Sequence, residues 1–339
     1  MKNSKTFLFI ITLFFVYTSC KKNERVIYLN QLKNKISIMK ETPVKPLNKE
    51  QIGNTYLINN LHDKYLIIND TECTDNGLLI YDINNFKKLG ATGKKGEGPG
   101  EISYYYKVIP YKHGFIMQDH SKNIVYYYDV VKAIKNQNYL PLELLHQKDI
   151  KDYPYFYRML SDSLYVGVQA RIGSSSNFEV NINKGNLYTG TYKKMISLPN
   201  EIDNNKLQCY FASYKNRIII TYFNYNLVSI YDIKGNLIKH IQGEVKLKKN
   251  KHKRYYGRPI GINNKLFIPS FYGDGYMKNS RGIIEEVGFN QLLCLDMNGN
   301  YIKTLKTSSN FYNAIPLPDK KRILLYRRKN DIAFTTIHL

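Results

Sequence analysis

Residues 114–129 read GFIMQDHSKNIVYYYD. Two apolar runs in this segment flank a polar centre at His120 and Ser121. Short runs rich in Ile, Val and Tyr favour β-strands, and a polar segment between two such runs is typical of a turn. The segment therefore predicts two antiparallel strands joined by a short connection.

The same pattern recurs along the chain at nearly regular intervals. The first strands of six such pairs begin near residues 65, 115, 164, 218, 266 and 323. Equal steps of about 50 residues indicate an array of repeated structural units. A long amphipathic helix is not evident in the sequence, and residues 130–147 have room for a short one.

Further strands flank each pair. Asp232–Asn236 and Asp296–Asn300 share an Asp-x-x-Gly-Asn pattern, in which the glycine supplies the positive φ that a two-residue hairpin turn needs. Another apolar segment precedes each pair, for example residues 311–317 before the sixth. Four antiparallel strands in each of six units predict an all-β fold, a six-bladed β-propeller of four-stranded antiparallel blades.

The sixth unit ends at Leu339 after its third strand. The segment 26–40 has strand character and no partner of its own, so we expect this N-terminal strand to join the last blade and close the ring. Closure of this kind removes the open edge of a sheet. The predicted organisation is a signal peptide at residues 1–19, a tether at residues 20–25, and one propeller domain at residues 26–339.

The first twenty residues carry an export signal. Lys2 and Lys5 precede a ten-residue apolar run, residues 7–16, which is too short to span a bilayer and typical of a signal-peptide core. The sequence Tyr-Thr-Ser-Cys that follows, ending at Cys20, resembles a bacterial lipoprotein box, with Tyr17 in place of the usual leucine. The resemblance implies lipidation of Cys20 and attachment to a membrane through acyl chains. An ordinary secretory signal is the alternative.

The residues after Cys20 bear on where the chain is anchored in the cell envelope. Acidic residues at this place direct export to the cell surface in some Bacteroidetes lipoproteins, whereas Lys21, Lys22 and Asn23 precede a single Glu24 here. The periplasmic side is therefore favoured over the cell surface. Cys73, Cys209 and Cys294 cannot all pair with one another, and one disulfide among them is left open.

The chain is strongly basic, with 50 Lys and Arg residues against 27 Asp and Glu residues and a formal net charge of +23. Such a charge attracts anions, although it also serves solubility alone. No nucleic-acid-binding motif accompanies the charge, so nucleic acid is not an expected partner.

Residues 93–101 have the pattern Gly-x-x-Gly-x-Gly-Pro-Gly-Glu. We name them the Gly-Pro-Gly loop. The spacing differs from that of a P-loop. With the strand pattern of residues 25–339, the loop resembles the TolB-like and NHL-like six-bladed propeller lipoproteins of Bacteroidetes. This family is largely uncharacterised, so the resemblance implies a fold and an address but no reaction. The candidate ligand-binding residues of the loop are Gly96, Glu97, Gly98, Pro99, Gly100 and Glu101.

A second loop, residues 243–258, is densely basic and joins blades four and five. Connections between successive blades lie on one face of a propeller, so we expect both loops at the same mouth of the channel. The candidate anion-binding rim consists of Lys94, Lys95, Lys249, Lys253, Arg254 and Arg258. The alternative is a pair of solvated charged loops without a ligand.

Catalytic patterns are absent from the sequence: it has no HExxH and no GxSxG. No cofactor is predicted, although a divalent cation in the channel remains open, with Glu101, Asp119 and Asp274 as weak candidate ligands. The expected function is non-enzymatic binding of a protein, a peptide or an anionic glycan by a monomeric, membrane-anchored propeller. A metal-dependent hydrolase or lyase with its site in the channel, and a structural envelope scaffold, are the alternatives.

Overall fold

The computed structural model describes residues 26–29, 35–44, 47, 55–70, 73–103, 107–119, 121–136, 138–146, 154–172, 178–196, 198–199, 202, 209–243, 253–271, 276–278, 284–327 and 334–339. Three short strands precede the first blade. They are β1 (Val26–Tyr28), β2 (Ile36–Ile38) and β3 (Glu41–Pro43).

The first three blades are four-stranded antiparallel sheets, each formed by consecutive strands. Blade one contains β4 (Thr55–Leu61), β5 (Tyr65–Asp70), β6 (Asn76–Asp82) and β7 (Lys88–Lys94). Blade two contains β8 (Val108–Tyr111), β9 (Gly114–Asp119), β10 (Ile124–Asp129), the helix α1 (Val130–Lys135) and β11 (Leu142–His146). Blade three contains β12 (Pro154–Met159), β13 (Leu164–Ile172), β14 (Phe178–Asn186) and β15 (Tyr192–Ile196).

The other three blades incorporate the N-terminal strands as well. Blade four contains β16 (Cys209–Tyr214), β17 (Arg217–Tyr222), β18 (Leu227–Asp232) and β19 (Leu237–Gln242). Blade five contains β20 (Ile260–Ile262), β21 (Lys265–Ser270), the hairpin β22 (Tyr276–Lys278) and β23 (Ile284–Glu286), then β24 (Phe289–Asp296) and β25 (Tyr301–Phe311). Blade six contains β26 (Asn313–Pro316), β27 (Arg322–Tyr326) and β28 (Phe334–His338). The chain is thus a six-bladed β-propeller, as its sequence predicts.

The core lies between the blades. In the described residues, six hydrophobic clusters each join two adjacent blades, and one of them joins blade one to blade six. Strand β5 shows how the sequence achieves this: Leu66 and Ile68 pack against blade six, and Tyr65 and Ile67 pack against blade two. Successive side chains of a strand point to opposite faces, so a strand buried on both faces has a nearly continuous apolar run instead of alternating apolar and polar residues. The unbroken apolar runs of the repeats follow from this packing.

The ring closes through blade six. Strand β3 pairs antiparallel with β28, with Thr42 opposite Thr336, and provides the fourth strand of the blade. An N-terminal strand therefore joins the last blade, as predicted, but residues 41–43 supply it and the predicted segment 26–40 does not. β1 and β2 instead lie parallel to β19 and β25, as fifth strands of blades four and five. Pro43 does not prevent the pairing because β3 is an outermost strand, where a missing amide is tolerated.

A largely buried carboxylate, with a side chain 10% exposed, fixes the closing strand. Glu41 of β3 accepts hydrogen bonds from the backbone amide of Ser308 at 2.7 Å and from its hydroxyl at 2.8 Å. The same carboxylate forms an ion pair with Arg327, whose side chain is 4% exposed. Ser308 belongs to blade five, and Arg327 follows the second strand of blade six. Glu41 therefore links blade five to blade six, the blade in which the ring closes.

The Asp-x-x-Gly-Asn segments form three-residue loops rather than the predicted two-residue turns. Asp232 and Asn236 form the closing pair, and the Asp232 carboxylate accepts the amides of Lys234 and Asn236. Gly235 adopts a φ of +91° and Gly299 a φ of +80°. A type I turn followed by a left-handed glycine gives a three-residue hairpin, and the aspartate stabilises this form by holding the turn amides.

The three cysteines of the propeller are free thiols, so no disulfide links them. Cys209 and Cys294 are buried in different interblade clusters, and burial raises the pKa of Cys209 to about 12. Their thiols therefore pack as small apolar groups. Within the described ranges, no helix has the length and apolar character needed to cross a membrane.

Candidate functional site

The inner strands of the six blades enclose a central channel. Its lining comes from β4, β8, β12, β16, β20 and β26, the first strand of each blade, together with residues next to these strands. Its volume is about 740 Å³. Ligand sites for small molecules typically measure about 300–1,000 Å³. The channel therefore has room for a small organic ligand.

The wall of this channel is basic. Asp63 is its one carboxylate among the described lining residues, and its Oδ1 accepts a hydrogen bond from the side chain of Asn60. Five cationic side chains line the same space: Lys107, Arg158, Lys215, Arg258 and Lys320. Because walls of low dielectric constant focus the field of such charges, the channel attracts anions.

Lys107 lies where the chain enters the inner strand β8. Its side chain is 5% exposed, and its ammonium lies 4.9 Å from the ring centroid of Phe156. Among the described residues, no carboxylate lies within ion-pair distance of it. Burial lowers the pKa of this ammonium well below its usual range, and the neighbouring charge of Arg258 lowers it further. The contact with Phe156 acts in the opposite direction, since a desolvated cation–π contact favours the charged form by about 2 kcal/mol.

Arg258 lies two residues before the inner strand β20 and lines the channel. The backbone before it is held in place: the hydroxyl of Thr221 donates to the Gly257 carbonyl at 2.8 Å, and the Gly257 amide donates to the Pro269 carbonyl at 2.8 Å. Burial lowers the pKa of Arg258 from its ordinary value. A fixed cation in this position is arranged in advance for a negatively charged ligand.

Arg254 does not line the channel but packs among aromatic side chains close to the segment that carries Arg258. Its guanidinium lies 5.7, 4.9 and 5.0 Å from the ring centroids of Tyr210, Phe223 and Phe289, and it donates to the Tyr210 hydroxyl at 2.6 Å. The side chain is 7% exposed. An arginine enclosed by three rings acts as a packing element, so we assign Arg254 to positioning the segment that carries Arg258.

The described residues of the predicted anion-binding rim do not lie together at one site. Arg258 lines the channel, whereas Lys94 forms an ion pair with Glu101 at 2.8 Å and Lys95 is exposed. The ammonium of Lys253 lies 5.4 Å from the ring centroid of Tyr255. Lys249 lies outside the described residues. Lys107, which the sequence analysis passed over, takes the place next to Arg258.

The Gly-Pro-Gly loop encloses a lysine from blade two. The ammonium of Lys122 donates to the carbonyl oxygens of Gly96, Gly98 and Glu101 at 3.0, 3.0 and 2.9 Å. Lys122 belongs to the connection between β9 and β10, so this turn and the loop lie on the same face of the propeller. Gly96 and Gly100 have φ values of +155° and +73°, which L residues rarely adopt. The loop thus fastens blade one to blade two.

Replacing Lys122 by Met should destabilise the protein, because three carbonyl oxygens lose a charged donor. Hydrogen bonds to charged groups are worth about 1.5–3 kcal/mol each, and partial exposure reduces this, so we expect a loss of about 2 kcal/mol in the free energy of unfolding. Urea unfolding followed by circular dichroism measures it. The exposed Lys95→Met is the matched control, and equal midpoints for the two variants would contradict the role of Lys122.

Two of the candidate metal ligands, Glu101 and Asp119, already have partners within the protein. Glu101 accepts from the Gly98 amide at 2.9 Å in addition to its ion pair with Lys94, and these contacts lower its pKa. Asp119 accepts the backbone amides of Ser103, Ser121 and Lys122. Asp274 lies outside the described residues. No three His, Cys, Asp or Glu side chains in the described part of the chain come together as a metal-binding group.

Comparison with known proteins supports the fold. No protein-family model matches the chain, and no curated protein matches it. Among solved structures, a member of the DUF4221 family from Bacteroides vulgatus is similar over 88% of this chain and 95% of its own, with 12% identity and a TM-score of 0.57. At this identity the likeness shows a shared fold alone, and the predicted resemblance to Bacteroidetes propellers is confirmed at that level.

Two further solved structures match more loosely. One is regucalcin from Agrobacterium tumefaciens, a calcium-binding protein, with 8% identity over 91% of this chain and 95% of its own and a TM-score of 0.47. The other is a gluconolactonase from Xanthomonas campestris, with 10% identity over 81% of this chain and 82% of its own and a TM-score of 0.44. Neither likeness is strong enough to bear on function.

Proposed function

We propose that this chain is a non-enzymatic binding protein that takes a small organic anion into its central channel. The observation that carries the proposal is the pair Lys107 and Arg258, two cations that line one channel with no ion-pair partner among the described residues. Lys107 is buried and Arg258 is half-buried. A buried charge without a counter-charge is costly, and proteins normally pair or neutralise it. A ligand anion between the two side chains would supply the missing charge.

A neutral donor adds to this set. Asn59 of β4 also lines the channel and is 7% exposed, and its side-chain amide nitrogen has no hydrogen-bond acceptor within the described structure. Unsatisfied buried donors are rare in folded proteins and are a common feature of ligand sites. An oxyanion would accept hydrogen bonds from an amide, an ammonium and a guanidinium alike.

The lining favours an anion over a metal ion. A divalent cation such as Ca²⁺ takes six to eight oxygen ligands, several of them carboxylates. The described lining offers one carboxylate, Asp63, against five cationic side chains. The channel lining therefore supports an anion-binding protein better than a metal-dependent hydrolase or lyase. No observation in the described residues favours the purely structural scaffold.

Calorimetric titration at constant ionic strength tests the proposal. Galacturonate, pyruvate and sulfate serve as anionic probes, with galactose and acetone as neutral counterparts of the first two. We expect the anions to bind, and their affinity to fall when the titrations are repeated at a higher ionic strength, because salt screens the attraction. Arg258→Gln should weaken binding by about a hundredfold, since removing one partner of a buried charge pair costs about 3 kcal/mol. Equal binding of acids and neutral counterparts would overturn the proposal.

For the address, we propose a lipid anchor at Cys20 on the periplasmic side of the envelope. Support comes from the sequence of the first twenty-four residues, which precede the described part of the chain. A Cys20→Ser variant should fail to incorporate an alkyne-labelled fatty acid and should leave the membrane fraction. Protease added to intact cells should spare the anchored protein. Degradation of the protein on intact cells would place it on the surface instead.

A further inference from the structure

The amine of Lys107 differs in its surroundings from the other lysines of the channel. Lys107 is 5% exposed and contacts the face of Phe156, and Arg258 is its charged neighbour. Lys215, at the end of the inner strand β16, is instead hydrogen-bonded to the side chain of Asn264 in an exposed position. A lysine that is desolvated or placed next to another cation is the kind that proteins use as an amine nucleophile.

We propose that Lys107 captures a ligand carbonyl group as a reversible imine while Arg258 holds the anionic group of the same ligand. The ligand class is then an organic anion that carries an aldehyde or ketone, such as a 2-oxo acid or the open-chain form of a sugar acid. This inference rests on the proposed function, because the anion must first enter the channel.

The chemistry needs no further reactant. The lone pair of the Lys107 Nζ forms a bond to the carbonyl carbon, and the carbonyl oxygen takes up a proton to give a carbinolamine. The carbon–oxygen bond then breaks, and the oxygen leaves as water with the second proton from nitrogen. One amine and one carbonyl give one imine and one water, with no change in oxidation state. Hydrolysis reverses each step and releases the ligand unchanged.

Two features make Lys107 the site of capture. An ordinary lysine with a pKa near 10.4 is neutral in only about one molecule in 2,500 at pH 7, whereas burial and Arg258 shift the Lys107 equilibrium towards the neutral amine. Arg258 also raises the local concentration of the anion next to that amine. Each lowering of the pKa by about one unit increases the neutral fraction about tenfold.

Reductive trapping tests the inference on the folded chain without its signal peptide. The protein is incubated with pyruvate, glyoxylate or pyridoxal 5′-phosphate and with cyanoborohydride, which reduces an imine to a stable secondary amine. Peptide mass spectrometry then locates the label. We expect Lys107 to react about a hundredfold faster than the exposed lysines at about pH 7, because its amine is buried in the channel and Arg258 concentrates the anion beside it. Acetaldehyde, a neutral carbonyl compound, should keep only the part of this preference that comes from the buried amine and lose the part that comes from attraction of the anion.

Variants separate the roles of the two residues. Lys107→Arg should keep a cation in the channel but lose the label. Arg258→Gln should slow labelling by pyruvate about tenfold more than labelling by acetaldehyde, because both reactions lose the effect of Arg258 on the amine and pyruvate alone also loses its anion partner. Lys193→Met, on the outer strand β15, should match the wild type. Circular dichroism confirms that each variant is folded.

The outcomes distinguish this inference from the proposed function. If pyruvate binds in the calorimeter but label spreads over the exposed lysines, the imine is overturned and the anion-binding function stands. If no anion binds and Lys107 is not labelled preferentially, both fall. Preferential labelling of Lys107 that requires Arg258 supports both.

Discussion

We expect a chain that begins at Lys45, and so lacks residues 21–44 of the protein that begins at Lys21, to lose cooperative folding. A chain that begins at Glu41, and so lacks only residues 21–40, should still fold. The longer deletion removes β3, the fourth strand of blade six, and leaves β28 as an open sheet edge. It also removes the Glu41 carboxylate from the buried Arg327, and breaking a buried ion pair costs about 3–5 kcal/mol.

Further losses add to this cost. Val44 belongs to the cluster that joins blade one to blade six, and burial of such a side chain contributes about 1.5–3 kcal/mol. The combined loss approaches the whole stability of a typical domain, which is about 5–15 kcal/mol. The shorter deletion removes β1 and β2 alone. Ile36 and Ile38 of β2 are 59% and 81% exposed, so their removal should cost far less.

Thermal unfolding of the two truncated proteins and of the chain that begins at Lys21 measures this difference. Glu41→Gln is the matched point variant, because it keeps the strand and removes the charge that faces Arg327. We expect its stability to lie between those of the two truncated proteins. Equal unfolding midpoints for the two truncated proteins would show that β3 does not close the ring.

Replacing Lys107 by Met should make the ligand-free protein more stable and abolish anion binding. The substitution keeps an unbranched side chain against Phe156 and removes a charge without an ion-pair partner in the described structure. Replacing buried ionic groups by apolar groups of similar size is often stabilising by about 1–4 kcal/mol, and we expect about 2 kcal/mol here. Opposite effects on stability and on binding are typical of a residue retained for function.

Urea unfolding and calorimetric titration on the same samples measure the two effects. Lys193→Met is the control, because a surface substitution of this kind changes the free energy of unfolding by about 0.5 kcal/mol or less. A Lys107→Met variant that unfolds more easily than the wild type would mean that the ammonium has a stabilising partner. The claim that the charge is kept for a ligand would then be wrong.

Most of the fold was predictable because its signals are local. The apolar run Tyr65–Ile68 and the glycines of the Asp-x-x-Gly-Asn turns are read within a few residues of sequence. The sequence correctly predicts that an N-terminal strand closes the ring, but it places that strand at residues 26–40. The actual strand, β3, is only three residues long and ends at Pro43, so its local signal is weak. Its position is determined by pairing with β28, almost three hundred residues away, and by the ion pair between Glu41 and Arg327.

For the candidate site, the sequence predicts the sign of the charge but not most of the residues that carry it. The basic composition indicated an anion, and Arg258 was among the candidates, but the charge of a residue does not reveal its partner. Lys94 has a carboxylate partner in Glu101 of the same loop. Lys107 follows three tyrosines and reads as part of a strand. Its place beside Arg258 depends on the ring that brings blades two and five around one channel.

The most direct test compares the stability of the wild type and of a Lys107→Met, Arg258→Met double variant as sulfate replaces chloride at constant ionic strength. A ligand that binds the folded state alone raises the free energy of unfolding, by about 2.7 kcal/mol at a hundred times its dissociation constant. Sulfate also stabilises proteins in general, and the double variant reports that contribution. We predict a larger rise in the wild type than in the variant. Parallel curves would contradict an anion site at Lys107 and Arg258.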